Sequence, residues 1–181
     1  MKKTKSLFCL ALLAIALIAS SCQPVSRRSQ RATATAYAAS YMTKAMEAAE
    51  NGALALCNID FSKGPDEYIE EICNYSTEAG CKFFQNHIDG YWTELDRSLN
   101  SNQVKCITGR SRFLEEGRQF GFLVQNWQIN LVGTEGWAPS AKNREYWVQV
   151  AEEHGLWKFN RVLTNDEIAM YLTIEGMAGE K

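Results

Sequence analysis

Six cysteines and two histidines are the side chains of this sequence best suited to chemistry. Cys9 sits in an apolar N-terminal run and Cys22 just beyond it. Cys57, Cys73, Cys81 and Cys106 fall in the remainder, with fifteen, seven and twenty-four residues between them. No Cys-x-x-Cys knuckle or nearby histidine pair gives them the spacing of a zinc site, so no metal is expected. An even set in an exported chain suits two disulfides. If Cys73 and Cys81 share one helix, they stand about 12 Å apart along its axis at 1.5 Å per residue, too far to bridge. Two pairings remain. Cys57 with Cys73 and Cys81 with Cys106 closes the shorter loops and is preferred; Cys57 with Cys81 and Cys73 with Cys106 stays open. His87 could serve as a general base in a pocket if a carboxylate such as Asp60 oriented it. The alternative is a helix-surface or partly buried histidine, and His154 reads as exposed in a turn. No Gly-x-Ser-x-Gly, His-Glu-x-x-His or phosphate-cradling glycine loop occurs. We therefore assign no catalytic residue and no cofactor, and read a binding role ahead of an enzymatic one. Trp137, flanked by glycines in Gly133-Thr134-Glu135-Gly136-Trp137, is a candidate partner anchor; its alternative is to fold over a sheet edge.

The elements that must carry these residues follow from periodicity. Residues 34–56 read as a helix, with Tyr37, Tyr41, Ala45, Ala48 and Gly52 on one face. Asn58 to Gly64 reads as a connector. Gly64-Pro65-Asp66-Glu67 is a helix start, with proline in the first turn and acids against the positive end of the dipole. Ile69, Ile72, Ser76, Ala79 and Phe83 then mark one face, Gly80 could bend or divide the helix, and the period runs to about Leu99. Asn100-Ser101-Asn102 breaks it. A strand follows through Val104, Cys106 and Thr108, then a turn at Glu116-Gly117-Arg118. A long strand over 120–132 places Leu123, Trp127, Ile129 and Leu131 on one face and Phe122, Asn126, Gln128 and Asn130 on the other. That second face is either a polar binding surface or simply solvated. A third strand covers 146–152, Glu153-His154-Gly155 makes a tight turn, and 156–163 is a fourth strand. Thr164-Asn165-Asp166-Glu167 is a capping box opening a last helix. Helices followed by an antiparallel meander of about four strands make an α+β domain over 35–181, its curved sheet burying Trp127, Trp147 or Tyr146, and Trp157.

The first residues carry an address. Lys2, Lys3 and Lys5 precede a thirteen-residue apolar run from Leu7 to Ala19. About 20 apolar residues are needed to span a bilayer, so this is a signal segment over 1–21. Ala19-Ser20-Ser21-Cys22 resembles the lipobox of bacterial lipoproteins, in which the cysteine is acylated and the chain is cut before it. Ala19 stands where that family usually has Leu or Val, and an Ala-x-Ser site for ordinary cleavage, giving a soluble secreted chain, is the alternative. The resemblance implies a membrane anchor at Cys22 on the exported side of a bacterial envelope. Residues 22–34, with Arg27, Arg28 and Arg31, read as a flexible polar tether; a basic stretch lying on anionic lipid is the alternative. Without the signal lysines the chain has sixteen basic and twenty-one acidic residues, which argues against a nucleic-acid partner.

The order of elements, with Asn126-Trp127-Gln128-Ile129, Tyr146-Trp147-Val148-Gln149-Val150 and the closing hairpin Glu153-His154-Gly155-Leu156-Trp157, resembles the NTF2-like and VirB8-like domains. It covers roughly 35–165. The resemblance implies a cystatin-like cone of helices in a curved sheet. It also implies one of two roles: an assembly factor of type IV secretion or conjugation with envelope protein partners, or a small-molecule pocket protein or enzyme of the NTF2-like superfamily. The four cysteines are not part of that pattern. An envelope protein with a purely structural role is a third reading.

Overall fold

The computed structural model describes residues 27–98, 103–136 and 142–179. Cys22, the signal segment, Trp137 and the breaker at 100–102 lie outside them. The chain divides into Met1–Ser40 and Tyr41–Lys181. The described part of the first is helical backbone.

Helix α1 runs Arg27–Cys57, beginning seven residues before the expected Ala34, so part of the expected tether is helical. Alanine is the strongest helix former, and the small side chains of Ala45, Ala49 and Ala53 are fully buried. They let the helix lie close to the sheet. Gly52 is the extreme case: a Cβ there would lie 2.3 Å from Cγ of Phe159. Strand β1, Ile59–Asp60, occupies the expected connector and pairs Ile59 with Val104. The sheet therefore has five strands instead of about four.

Helix α2 is Gly64–Tyr75, with Pro65, Asp66 and Glu67 in its first turn as expected. It ends at Ser76, whose backbone is extended and bridges Phe159 of the sheet. The Thr77 N–H donates to the Phe159 carbonyl at 2.7 Å. Helix α3, Glu78–Ser98, then starts afresh, capped by Thr77 Oγ1, which accepts from Gly80 N–H at 3.0 Å. The division falls at Ser76–Thr77 and not at Gly80. It resets the helical phase: Gly80 is buried, while Ala79 and Phe83, expected on the buried face, are exposed.

This break corrects the disulfides. Cys73 and Cys81 lie on two helices meeting at a sharp corner, with Cα atoms 4.7 Å apart, and they are bonded. Cys57 pairs with Cys106, next to the Asn58 side chain, which accepts from Cys106 N–H at 2.8 Å. Both pairings kept open from sequence are therefore replaced. The one set aside as too long forms because its premise of a single helix fails.

The remaining strands are β2 (Gln103–Gln119), β3 (Phe122–Glu135), β4 (Asn143–Glu153) and β5 (Leu156–Val162), in order β1-β2-β3-β4-β5, each pair antiparallel. The first hairpin turns at Phe120–Gly121 instead of Glu116-Gly117-Arg118, which stays paired in β2. The second turns at His154–Gly155 as expected, both at positive φ. Bulges interrupt β2 against β3 in three places and β4 against β5 in one; such insertions bend a strand and curve the sheet. One face buries Trp127, Ile129, Leu131, Val148, Val150 and Phe159 with Leu56 and Ile72 of the helices. Tyr146 and Trp157 pack at its margin. Helix α4, Asn165–Gly179, covers part of the other face, where Trp147, Leu163 and Tyr171 form a second cluster. Its capping box is as expected: Glu167 N–H donates to Thr164 Oγ1 at 3.3 Å, and Thr164 N–H to Glu167 Oε2 at 2.8 Å. Helices packed on an open antiparallel sheet form the α+β architecture that the NTF2-like resemblance implies. No helix among the described residues is long and apolar enough to cross a membrane.

Candidate functional site

On the sheet face opposite α1, side-chain amides join three strands. Gln149 Nε2 donates to Asn126 Oδ1 at 3.1 Å, and Asn126 Nδ2 donates to Tyr171 Oη at 2.8 Å. Asn160 Nδ2 donates to Gln149 Oε1 at 2.9 Å, and Thr77 Oγ1 donates to Asn160 Oδ1 at 2.8 Å. Arg161 continues the chain: Nε reaches Gln149 Oε1 at 3.3 Å, and its two terminal nitrogens reach the Glu167 carboxylate at 2.7 and 2.6 Å. Burying polar groups is tolerated when they are bonded to one another. This network docks α4 and the α2–α3 corner on the sheet. The Arg161 bonds hold the Glu167 carboxyl at about 2, below its ordinary 4.5, against the upward push of burial. Glu167 in turn raises Arg161, while burial raises the Tyr171 phenol.

Beside this network lies an open, mainly apolar groove of about 600 Å³. Phe83 and Phe84 of α3 form one wall, Phe120 and Phe122 of the β2–β3 hairpin another, and Val124 and Ala151 the floor. Glu153 and Arg161 at its edge are ion-paired, to Lys158 and Glu167. Burial pushes Glu153 upward, but the bonds from Lys158 and the Glu78 N–H bring it below its ordinary value. The groove thus offers apolar surface with its charges already neutralised.

The face expected to be polar divides in two. Asn126 is buried in the network, while Gln128 and Asn130 line a shallow recess with Arg110 and Arg112. The Arg112 guanidinium lies 5.8 Å from the Trp147 ring centre. His87 is exposed on α3. Its ring stacks on Phe83 at 4.3 Å, and Nδ1 donates to the Phe83 carbonyl at 2.7 Å. Asp60 is turned to Ser62, accepting from its N–H and hydroxyl, a geometry that does not orient His87. The helix–sheet interior, where the alternative reading placed a pocket, is filled by Leu56, Ile72, Ile129 and Phe159. His154 is exposed in its turn. All four cysteines of the domain are in disulfides, and the described residues contain no cluster of His, Cys, Asp and Glu that could hold a metal. Sequence reasoning missed Phe120 and Phe122 as site residues. Their signal was Phe120-Gly121 itself, a possible two-residue turn between two alternating strands.

No family model and no curated protein matches the chain. Two solved structures are similar in fold. One is a periplasmic fragment of TraM, 13% identical, with a TM-score of 0.46, over 67% of this chain and 95% of that one. The other is the periplasmic domain of DotI, 12% identical, with a TM-score of 0.44, over 65% and 90%.

Proposed function

We propose that this chain is an exported binding domain, held to a membrane through lipid on Cys22, that docks an apolar segment of another envelope protein in the groove between α3 and the β2–β3 hairpin. The assembly it serves is a type IV secretion or conjugation apparatus, a role supported by the VirB8-like resemblance of residues 126–129 and 146–150. The groove carries the reading. Its walls expose Phe83 and Phe122, and its border charges are paired within the chain, so an apolar segment can enter without stripping a lone charge of water. The polar side chains beside it bond to one another, which suits a scaffold better than a catalyst. Two disulfides suit an oxidising compartment outside the cytoplasm.

Val162 of β5 also lines the groove, and Phe83→Asp and Val162→Asp put a charge into it at exposed positions, where folding is little affected. Each variant should recover its stoichiometric partner from envelope extracts at least tenfold less well, a change of about 1.4 kcal/mol in binding. Recovery equal to wild type would sink the proposal. A second reading, a small apolar ligand, is favoured by the groove's volume, which falls within the range of ligand pockets of about 300–1,000 Å³. Native mass spectrometry of the purified chain retaining such a molecule would decide for it.

A further inference from the structure

The β2–β3 turn places Phe120 at φ 51° and Gly121 at φ 88°. Two consecutive positive φ values are those of a type I′ turn, in which Asn-Gly is preferred. A bulky residue is disfavoured in this left-handed region. Phe120 is also 92% exposed. Neither backbone conformation nor burial accounts for a phenylalanine here.

Its surroundings supply a reason. Gln119 pairs with Phe122 to close the first hairpin, and Glu153 with Leu156 to close the second. Val124 pairs with Ala151 between them, so both tips stand at one end of the sheet. There Phe122 is 53% and Leu156 63% exposed. The chain arriving from Cys22 enters the domain at the same end. Tyr41 packs edge-on against Trp157 at 5.0 Å, and Met42 Sδ accepts from Gln125 at 3.5 Å. The other end of α1 is fastened far away, by Cys57–Cys106. Five extended residues and the helical stretch from Arg27 to Ser40 reach at most ~40 Å. The apolar tips thus stand at the end of the domain where the chain from Cys22 enters it.

We propose that Phe120 at the rim of the groove, with Leu156 on the neighbouring tip, inserts into the interfacial layer of the phospholipid bilayer that holds Cys22, while Phe122 stays in the groove wall. The inference rests on the anchored reading above. Aromatic and leucine side chains suit the boundary between headgroups and acyl chains. Charges of both signs border the tips, Arg118 and Lys158 with Glu152 and Glu153, so the patch is not built for anionic lipid. A zwitterionic surface is the fitting partner. One inserted loop holds weakly alone and needs the lipid to keep it at the surface.

The test uses the full chain, purified with its lipid and reconstituted into phosphatidylcholine vesicles whose acyl chains carry a diazirine. After irradiation, peptides are mapped by mass spectrometry, and the mass of the Cys22 peptide is read in the same run. Cross-links are expected on the peptide carrying Phe120 and Phe122. They should be lost in Phe120→Asn, which creates the preferred Asn-Gly turn and so keeps or raises the melting temperature. Leu156→Ser should lower the labelling as well. A hairpin peptide without label in wild type, or labelled equally in Phe120→Asn, overturns the insertion whatever Cys22 carries. An unacylated Cys22 overturns the anchor reading separately, and hairpin labelling in that sample would still support insertion.

Discussion

Glu167 accepts two bonds from Arg161 and one from the Thr164 N–H. It therefore joins the last strand to the last helix at one carboxylate. Because its folded value of about 2 lies below the ordinary 4.5, its contribution is complete above pH 4.5 and fades as the pH falls toward 2. For a carboxylate about one-third exposed we expect roughly 1–2 kcal/mol after solvent screening. Urea unfolding at pH 7, pH 3 and pH 2 should show Glu167→Gln less stable by that amount at pH 7, with the gap about halved at pH 3 and nearly gone at pH 2. A gap unchanged from pH 7 to pH 2 would remove the carboxylate charge as its cause. Thr164-Asn165-Asp166-Glu167 was legible because both halves of a capping box lie within three residues. The Arg161 partner lies across a strand end, and no local pattern announces it.

The same contrast governs whole elements. The hairpin at His154–Gly155 was legible because two alternating strands flank it closely. The α2–α3 corner was not, because the apolar spacing of Ile69, Ile72 and Ser76 continues through Ala79 and Phe83 as if one helix ran on. What breaks it is Phe159, which bridges Ser76 and accepts from Thr77 N–H from far along the chain. The groove depends on that corner, since resetting the phase turns Phe83 outward beside the hairpin. The two disulfides differ in what they constrain. Cys57–Cys106 spans 49 positions and Cys73–Cys81 only 8. On loop-closure entropy, removing the first should cost about 4 kcal/mol and the second about 2.5 kcal/mol. Urea unfolding of Cys57→Ser/Cys106→Ser and Cys73→Ser/Cys81→Ser tests the order. A larger loss from the second pair would mean that the corner itself, and not the unfolded chain, carries the effect.

At the scale of the whole molecule, α1 lies along the sheet from the hairpin-tip end at Tyr41 to the stapled end at Cys57. An attachment upstream of Tyr41 therefore acts on the end that shows Phe120 and Leu156. Lipid at Cys22 and the apolar tips would then be one firm and one weak membrane contact joined by a short chain, and the firm one raises the effective concentration of the weak one at the surface. Metabolic labelling with a fatty-acid analogue should mark wild type and leave Cys22→Ala unmarked; equal labelling refutes acylation at this cysteine. Fractionation of the same cells separates the two contacts. Cys22→Ala should move largely to the soluble exported fraction, because the hairpin alone binds too weakly to hold it. Phe120→Asn with Cys22 intact should stay with the membrane, because several acyl chains suffice to anchor a protein. Cys22→Ala remaining wholly membrane-bound would shift the main attachment from the lipid to the folded domain.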